Sequence, residues 1–85
     1  MLNKLVVQKY GGATLANPEK IKQVAARISD LKKSGTNIVA VVSAMGQTTN
    51  QLIDLAHQVS SNPSLRELDM LLSVGERTSM ALLTM

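Results

Sequence analysis

The 85-residue sequence predicts an α/β fold that is built on one parallel βαβ unit and continues into two further helices. Two apolar runs, at residues 5–7 and 38–42, have the length of buried strands, and the second is typical of a parallel strand covered on both faces. Apolar residues between the two runs repeat with the period of a helix. A strand, a helix and a strand in this order form a βαβ unit, whose crossover is expected to be right-handed.

The first helix has clear start and stop signals. Asn17 is expected to be its N-cap, Pro18 suits the first helical position, and Glu19 places a negative charge in the first turn. Gly35 is expected to end the helix, since glycine readily adopts the left-handed conformation found after helix C-termini. The side chains expected to face the sheet form one apolar stripe: Ile21, Val24, Ala25, Ile28 and Leu31.

The second helix is expected to begin at Thr48 or Thr49, either of which could act as its N-cap. Residues 60–63, with sequence Ser-Ser-Asn-Pro, predict a break after it. The residues expected on its buried face are Leu52, Ile53, Leu55, Ala56 and Val59.

The third helix is expected to open with a capping box formed by Ser64 and Glu67. Its apolar residues lie on nearly every side, which is typical of a helix at the centre of a larger structure. Two strands are also fewer than the roughly 4–6 of an ordinary sheet. We therefore expect residues 1–85 to be the N-terminal part of a longer protein. The apolar residues of this helix are Leu65, Leu68, Met70, Leu71, Leu72, Val74, Met80, Leu82 and Leu83.

Composition limits the classes of partner. The net charge is +3, but the basic residues of the first helix are best explained as a solvated face, and Tyr10 is the single aromatic residue available to stack on a base. The sequence has no cysteine and no apolar run long enough for a membrane span, and the apolar run at residues 5–7 is expected to be too short for a signal peptide. We expect a cytoplasmic protein with no nucleic-acid partner and no membrane partner.

A first candidate site is the turn that follows the first strand, at residues 9–14. Ligands of open α/β sheets bind outside the carboxyl ends of the strands. Gly11 and Gly12 would allow close approach of a ligand and could present backbone amides to an anion, while Lys9 supplies a positive charge.

The loop after the second strand, at residues 43–49, lies at the same edge of the predicted sheet. It contains the hydroxyl of Ser43 and a turn glycine, Gly46, and it leads into a helix N-terminus, where anions bind favourably. The two loops together suggest a phosphate site, although both could equally be ordinary glycine turns. Neither the dinucleotide-binding fingerprint nor the P-loop motif is present.

Glu76 is a second candidate, because an unpaired carboxylate among leucines and methionines would be costly to bury. Together with Gly75, it suggests close approach of a positively charged ligand. A structural ion pair, with Lys9 or with an arginine elsewhere in the protein, explains Glu76 equally well. His57 is expected to be an ordinary surface or boundary residue, and no group of side chains has the spacing of metal ligands.

Three segments, at residues 9–14, 41–50 and 66–77, resemble the N-terminal part of the aspartokinases, which belong to the amino-acid kinase family. The resemblance extends over essentially the whole chain. It implies a partial three-layer amino-acid kinase fold, similar to carbamate kinase, with the rest of the kinase domain and a regulatory region lying after residue 85. The isolated chain is then expected to be inactive.

The resemblance also implies an activity, which is the ATP-dependent phosphorylation of the side-chain carboxylate of aspartate. This reaction is the first step toward lysine, threonine and methionine, and Mg²⁺ would be carried by the nucleotide. The resemblance implies that Lys9 neutralises the phosphates of ATP as the catalytic residue. It assigns ATP binding to Lys9, Gly11, Gly12, Ser43 and Gly46, and aspartate binding to Thr14, Ser43, Thr49 and Glu76, with Glu76 receiving the α-ammonium group.

The sequence departs from the aspartokinase pattern at one turn. Aspartokinases usually have Gly-Gly-Thr/Ser-Ser, whereas here Ala13 lacks the first hydroxyl and Thr14 carries the second on a bulkier side chain. Two other hypotheses therefore stay open: a different amino-acid kinase, and a non-catalytic kinase-like module that binds a partner through its third helix. A homo-oligomer, or self-association through the exposed apolar helix at residues 64–85, is expected.

Overall fold

The structure is a computed structural model that describes residues 4–85. Its elements follow the predicted order of strand, helix, strand and two helices, with one short 3-10 helix after the first strand. They are β1 (Lys4–Tyr10), the 3-10 helix (Ala13–Leu15), α1 (Pro18–Lys33), β2 (Thr36–Val42), α2 (Thr48–Val59) and α3 (Leu65–Thr84).

The two strands pair in parallel, so the predicted βαβ unit is confirmed. The register begins with Lys4 opposite Thr36 and ends with Tyr10 opposite Val42. Both strands are longer than the apolar runs that predicted them. Lys9 was predicted to lie in the turn but belongs to β1, because the ladder of backbone hydrogen bonds continues to its carboxyl end.

The predicted boundaries of α1 are confirmed. The side chain of Asn17 accepts a hydrogen bond from the backbone amide of Lys20 at 2.9 Å, and Pro18 is the first helical residue. At the other end, the amide of Ser34 donates to the carbonyl of Asp30 at 3.1 Å. Gly35 follows with φ of +92°, a left-handed conformation that glycine adopts without strain.

One face of the sheet carries the core. Tyr10, Leu15, Ile21 and Val24 are buried together, so a strand end, the 3-10 helix and the apolar stripe of α1 meet. The residues that pack around this cluster come from α1, the end of β2, the following loop and α3: Ile28, Val42, Met45 and Leu83. Helices α1 and α3 therefore cover this face.

The opposite face of the sheet is exposed. Side chains alternate across a strand, and the exposed apolar residues on this face are Leu5 (67% exposed), Val7 (65%), Val39 (48%) and Val41 (44%). We call these four residues the open face. The predicted burial of residues 5–7 and the predicted cover on both faces of β2 are wrong for this chain, because α1 and α3 pack on the other side.

Helix α2 packs against α3, and two details of its prediction are wrong. Its N-cap is Gln47, and the amide of Thr48 is already used in a hydrogen bond to the carbonyl of Met45 at 2.9 Å. Leu55 and Val59 are exposed, because only the side of the helix toward α3 is covered. The predicted face is half-buried at Leu52, Ile53 and Ala56.

Helix α3 begins after Ser64 as predicted, but the capping box does not form. The carbonyl of Ser64 accepts the amide of Leu68 at 2.9 Å, while its side chain makes no capping hydrogen bond. The helix is buried at Gly75 and Ser79. Its exposed apolar residues are Leu65, Met70, Val74, Met80 and Leu82. Within residues 4–85, no helix combines the length and apolarity that a membrane crossing requires.

The chain is elongated. A compact domain of this length has a radius of gyration of about 12 Å, whereas this chain has a radius of 15.8 Å and extents of 56 × 26 × 18 Å. Neither the open face nor the exposed apolar residues of α3 are buried by another layer within the described residues.

Candidate active site

The loops after β1 and β2 meet at the carboxyl ends of the two strands. The amide of Ser43 donates to the carbonyl of Tyr10 at 3.1 Å, and the amide of Gly46 donates to the carbonyl of Gly12 at 2.9 Å. We call residues 11–14 together with residues 43–46 the loop junction. These two backbone hydrogen bonds hold the loops side by side, as the strand order predicts.

Gly12 is a glycine because the second loop lies against it. A Cβ atom at this position would lie 3.0 Å from the carbonyl oxygen of Ala44 and 3.0 Å from that of Gly46. Its φ of −59° is open to any residue, so close approach and not backbone conformation requires glycine. Its carbonyl accepts hydrogen bonds from the amides of Leu15 and Gly46. Within this chain Gly12 therefore joins the two loops.

Gly11 has a different environment, since a Cβ atom there would meet nothing within 4 Å. The residue is exposed, so the space beside it is open to a ligand. Gly46 has a third role: its φ is +49°, a left-handed turn conformation that favours glycine. The three glycines of the loop junction thus have different environments. Gly11 has open space beside it, Gly12 allows the second loop to approach closely, and Gly46 forms a turn.

Lys9 lies next to the loop junction, at the penultimate position of β1. It pairs with Val41 in the register and is exposed on the same side of the sheet as the open face. Within residues 4–85, the only ion pair joins Lys22 and Glu19, at 3.9 Å. The ammonium group of Lys9 is therefore available to an anion bound at the strand ends.

The hydroxyl-bearing candidates lie around the same loops. Ser43 is half-buried at the end of β2, and Thr49 is exposed in the first turn of α2. The amide of Thr14 donates to the carbonyl of Gly11 at 3.1 Å, so this part of the first loop is folded back on itself. Thr14 also lines a groove of about 330 Å³ against α1, beside Lys20.

Glu76 lies on α3 and is exposed, contrary to the expectation of an apolar environment. The reason is helical geometry: Gly75 and Ser79 face inward, and Glu76 lies about 100° around the helix from Gly75. The ion pair with Lys9 that the sequence left open does not form among residues 4–85. His57 is exposed, as predicted.

The structure also gives Gly75 a packing partner. A Cβ atom at Gly75 would lie 2.9 Å from the Cβ atom of Ala44 and 3.3 Å from Cγ2 of Thr48. The close approach expected of a ligand at this glycine is therefore made by the second loop and the start of α2. Ala44, which sequence analysis did not single out, is buried at this contact, and its small size is the only sequence signal for it.

The predicted site residues thus fall into two groups. Gly11, Gly12, Ser43 and Gly46 belong to the loop junction, with Lys9 beside it. The second group lies where α3 contacts the start of α2, at Gly75 and Thr48. Glu76 directly follows Gly75 on α3, and Thr49 directly follows Thr48 on α2. Within residues 4–85, no three His, Cys, Asp or Glu side chains are grouped so as to hold a metal ion.

Comparison with known proteins identifies the family. Residues 4–85 match the model of the amino acid kinase family. The chain belongs to this family. A crystal structure of the aspartate kinase from Synechocystis superposes with a TM-score of 0.91 at 52% identity, covering 94% of this chain and 14% of that one. The expected amino-acid kinase fold is therefore confirmed, and this chain contains two parallel strands of it together with helices on one face of those strands.

Two relatives are similar over nearly the same segment. The aspartokinase of Mycolicibacterium smegmatis is 59% identical over 81 residues, which are 95% of this chain and 19% of that protein. The aspartokinase of Bacillus sp. (strain MGA3) is 51% identical over 81 residues, which are 95% of this chain and 20% of that protein. The chain thus spans about a fifth of the length of these relatives.

Proposed function

We propose that this chain is the N-terminal part of the catalytic domain of an aspartate kinase. The observation that carries the proposal is its 59% identity to an aspartokinase over 95% of its length, which includes both loops of the loop junction. The remainder of the kinase domain and a regulatory region would follow residue 85. The exposed apolar residues of the open face and α3 support this, since a longer chain would bury them.

The proposed reaction transfers the γ-phosphoryl group of ATP to aspartate. An oxygen of the side-chain carboxylate bonds to the γ-phosphorus, the bond from that phosphorus to the β,γ-bridging oxygen breaks, and aspartyl phosphate and ADP result. Catalysis of such a transfer depends mainly on positioning and on neutralising charge. Mg²⁺ would enter with the nucleotide and offset part of the phosphate charge.

The loop junction suits the phosphate side of this reaction. Gly11 has open space beside it, into which a phosphate group fits, and its amide would donate to a phosphate oxygen. The available charge of Lys9 lies at the same strand ends and would stabilise the negative charge that the transferring group carries. Ser43 and Gly46 would border this site. Gly12 contributes by fixing the two loops together, with its carbonyl already hydrogen bonded.

The aspartate side would be formed by α2, α3 and the hydroxyl groups of the loops. The exposed carboxylate of Glu76, which has no ion pair within residues 4–85, would receive the α-ammonium group. Thr49 would contact the substrate from the start of α2, and Ser43 and Thr14 from the two loops. In this proposal the acceptor would lie between α3 and the loop junction, and the adenine pocket would lie in the remainder of the protein.

The proposal has consequences for the whole protein. Aspartyl phosphate would be the first intermediate toward lysine, threonine and methionine, and we propose a cytoplasmic location for the protein. The isolated chain would be inactive, because it spans about a fifth of its aspartokinase relatives. We also propose that the isolated chain self-associates through the exposed apolar side of α3.

The test is an assay of the full-length protein with ATP and Mg²⁺ and with aspartate or glutamate as the acceptor. Acyl phosphate is trapped with hydroxylamine, and ADP is measured separately. We expect hydroxamate with aspartate and not with glutamate, and no product from the isolated chain. Preference for another amino acid would indicate a different amino-acid kinase. Binding of a partner without ADP release from any acceptor would indicate a non-catalytic module.

A further inference from the structure

Gly75 is a buried glycine in the interior of α3, where glycine is among the least favourable residues. Its φ is not positive, since the positive values among the glycines belong to Gly35 and Gly46. Backbone conformation therefore does not require glycine here. Space does: an added Cβ atom would lie 2.9 Å from Cβ of Ala44, 3.3 Å from Cγ2 of Thr48 and 3.7 Å from Cδ1 of Leu52.

This contact joins three elements at one point. Ala44 is buried in the loop junction between the neighbouring residues Ser43 and Met45, while Thr48 begins α2. Gly75 itself directly precedes Glu76. The separation between α3 and the second loop, and with it the position of the Glu76 backbone, is thus set where these small groups touch.

We propose that Gly75 is a positioning residue that sets the distance between the aspartate carboxylate and the transferring phosphoryl group. This inference rests on the proposed function. An ordinary contact between carbon atoms is about 3.5–4.0 Å, so a methyl group at position 75 would move α3 away from Ala44 by roughly 0.5–1 Å. A displacement of about 1 Å between reacting groups can lower the rate 10²-fold.

The experiment uses Gly75→Ala in the full-length protein, with kcat, both KM values and the melting temperature measured. We expect kcat to fall by about 10- to 100-fold, with KM for ATP within about twofold of the wild-type value. The melting temperature should fall by a few degrees, because the added methyl group enters a closely packed contact, although alanine is the better helix former. The control is Ala81→Gly, which changes helix propensity at an exposed position of α3 and should leave kcat unchanged.

A compensating variant distinguishes positioning from a general effect on folding. Ala44→Gly deletes the methyl group that lies 2.9 Å from the added Cβ atom, so the double variant with Gly75→Ala regains the lost space. We expect it to recover at least half of the lost kcat on a logarithmic scale. A folded double variant whose kcat is recovered supports the inference even if Gly75→Ala alone does not fold.

Two results overturn the inference alone. One is an active wild-type protein whose Gly75→Ala variant keeps its kcat. The other is a folded double variant that remains as slow as the single variant. A wild-type protein that forms no aspartyl phosphate has a different meaning, because it overturns the proposed function and this inference together.

Discussion

The open face lies on β1 and β2, and the loop junction follows the carboxyl ends of the same two strands, but the two regions differ in how they are held. In the loop junction, backbone hydrogen bonds of 2.9 and 3.1 Å join the loops, and Gly12 leaves no space for a side chain. On the open face, Val7 and Val39 are opposite each other in the register and remain about half exposed or more. The backbone geometry of the candidate site is therefore formed within the described residues, whereas cover for the open face is not.

Lys9 lies beside the loop junction and on the same side of the sheet as the open face, which makes it the most informative position to change. In the full-length protein, we expect Lys9→Ala to lower kcat by about 10²–10³-fold, the usual effect of removing one group aimed at developing charge. The fold should persist, because Lys9 is exposed and makes no ion pair within residues 4–85. Steady-state kinetics and a thermal melt measure the two effects.

Lys4→Ala is the matched control, since Lys4 is an exposed lysine at the other end of the same strand. It should leave kcat close to the wild-type value. Equal turnover in the two variants would mean that Lys9 is not part of the site, and that a lysine at the carboxyl end of β1 contributes no more to catalysis than one at its other end.

Local signals predicted the parts of the fold that depend on neighbouring residues. Asn17, Pro18 and Gly35 determined the ends of α1 correctly, because capping and left-handed conformations involve residues within one turn. The capping box of Ser64 was wrong, since the motif does not determine which way the hydroxyl points. The membership of Lys9 in β1 was missed because strand length depends on the partner strand.

Contacts between distant segments could not be predicted in this way. The role of Gly12 depends on Ala44 and Gly46, about 30 residues later, and that of Gly75 depends on Ala44, about 30 residues earlier. A glycine in a sequence does not show whether a ligand or another loop occupies the space beside it. The sequence predicted which loops form the site. Only the structure showed that Gly11 has open space beside it whereas Gly12 packs against the second loop.

Glu76 gives the second largest expected effect and tests the aspartate side of the site. Glu76→Gln in the full-length protein should raise KM for aspartate more than tenfold, since a hydrogen bond to a charged group contributes about 1.5–3 kcal/mol. KM for ATP should be nearly unchanged. The melting temperature should also be nearly unchanged, because the side chain is exposed and unpaired within residues 4–85.

Glu67→Gln provides the comparison, as another exposed glutamate on α3. It should alter neither KM value. A large loss of stability in Glu76→Gln, with the ratio of the two KM values unaltered, would instead indicate that Glu76 forms a structural ion pair with a group outside this chain.

Alanine substitutions at Gly11 and Gly12 test how tightly the two loops of the loop junction are packed against each other. Gly12→Ala should destabilise the full-length protein by about 1–3 kcal/mol, the usual cost of inserting a methyl group into a closely packed site. Gly11→Ala should change stability by no more than about 0.5 kcal/mol, because its Cβ atom meets nothing within 4 Å. Urea unfolding measures both free energies.

Kinetics on the same two variants complete the test. Gly11→Ala should raise KM for ATP, since the added methyl group occupies the space proposed for a phosphate. Similar unfolding free energies for the two variants would mean that the second loop yields to the new side chain, and that the loop junction is no more tightly held than the open face.

The smallest expected effect concerns the apolar surfaces of the isolated chain. We expect it to self-associate and to bind a hydrophobic dye, because apolar side chains are exposed on α3 and on the open face. Met70→Gln with Met80→Gln should shift the sedimentation coefficient toward that of a monomer. Val7→Thr with Val39→Thr, a matched pair that keeps β-branched residues in the strands, should reduce dye binding and leave the association in place. A compact wild-type monomer that binds no dye would contradict the prediction. Loss of association in the valine double variant alone would mean that the chains associate through the open face and not through α3.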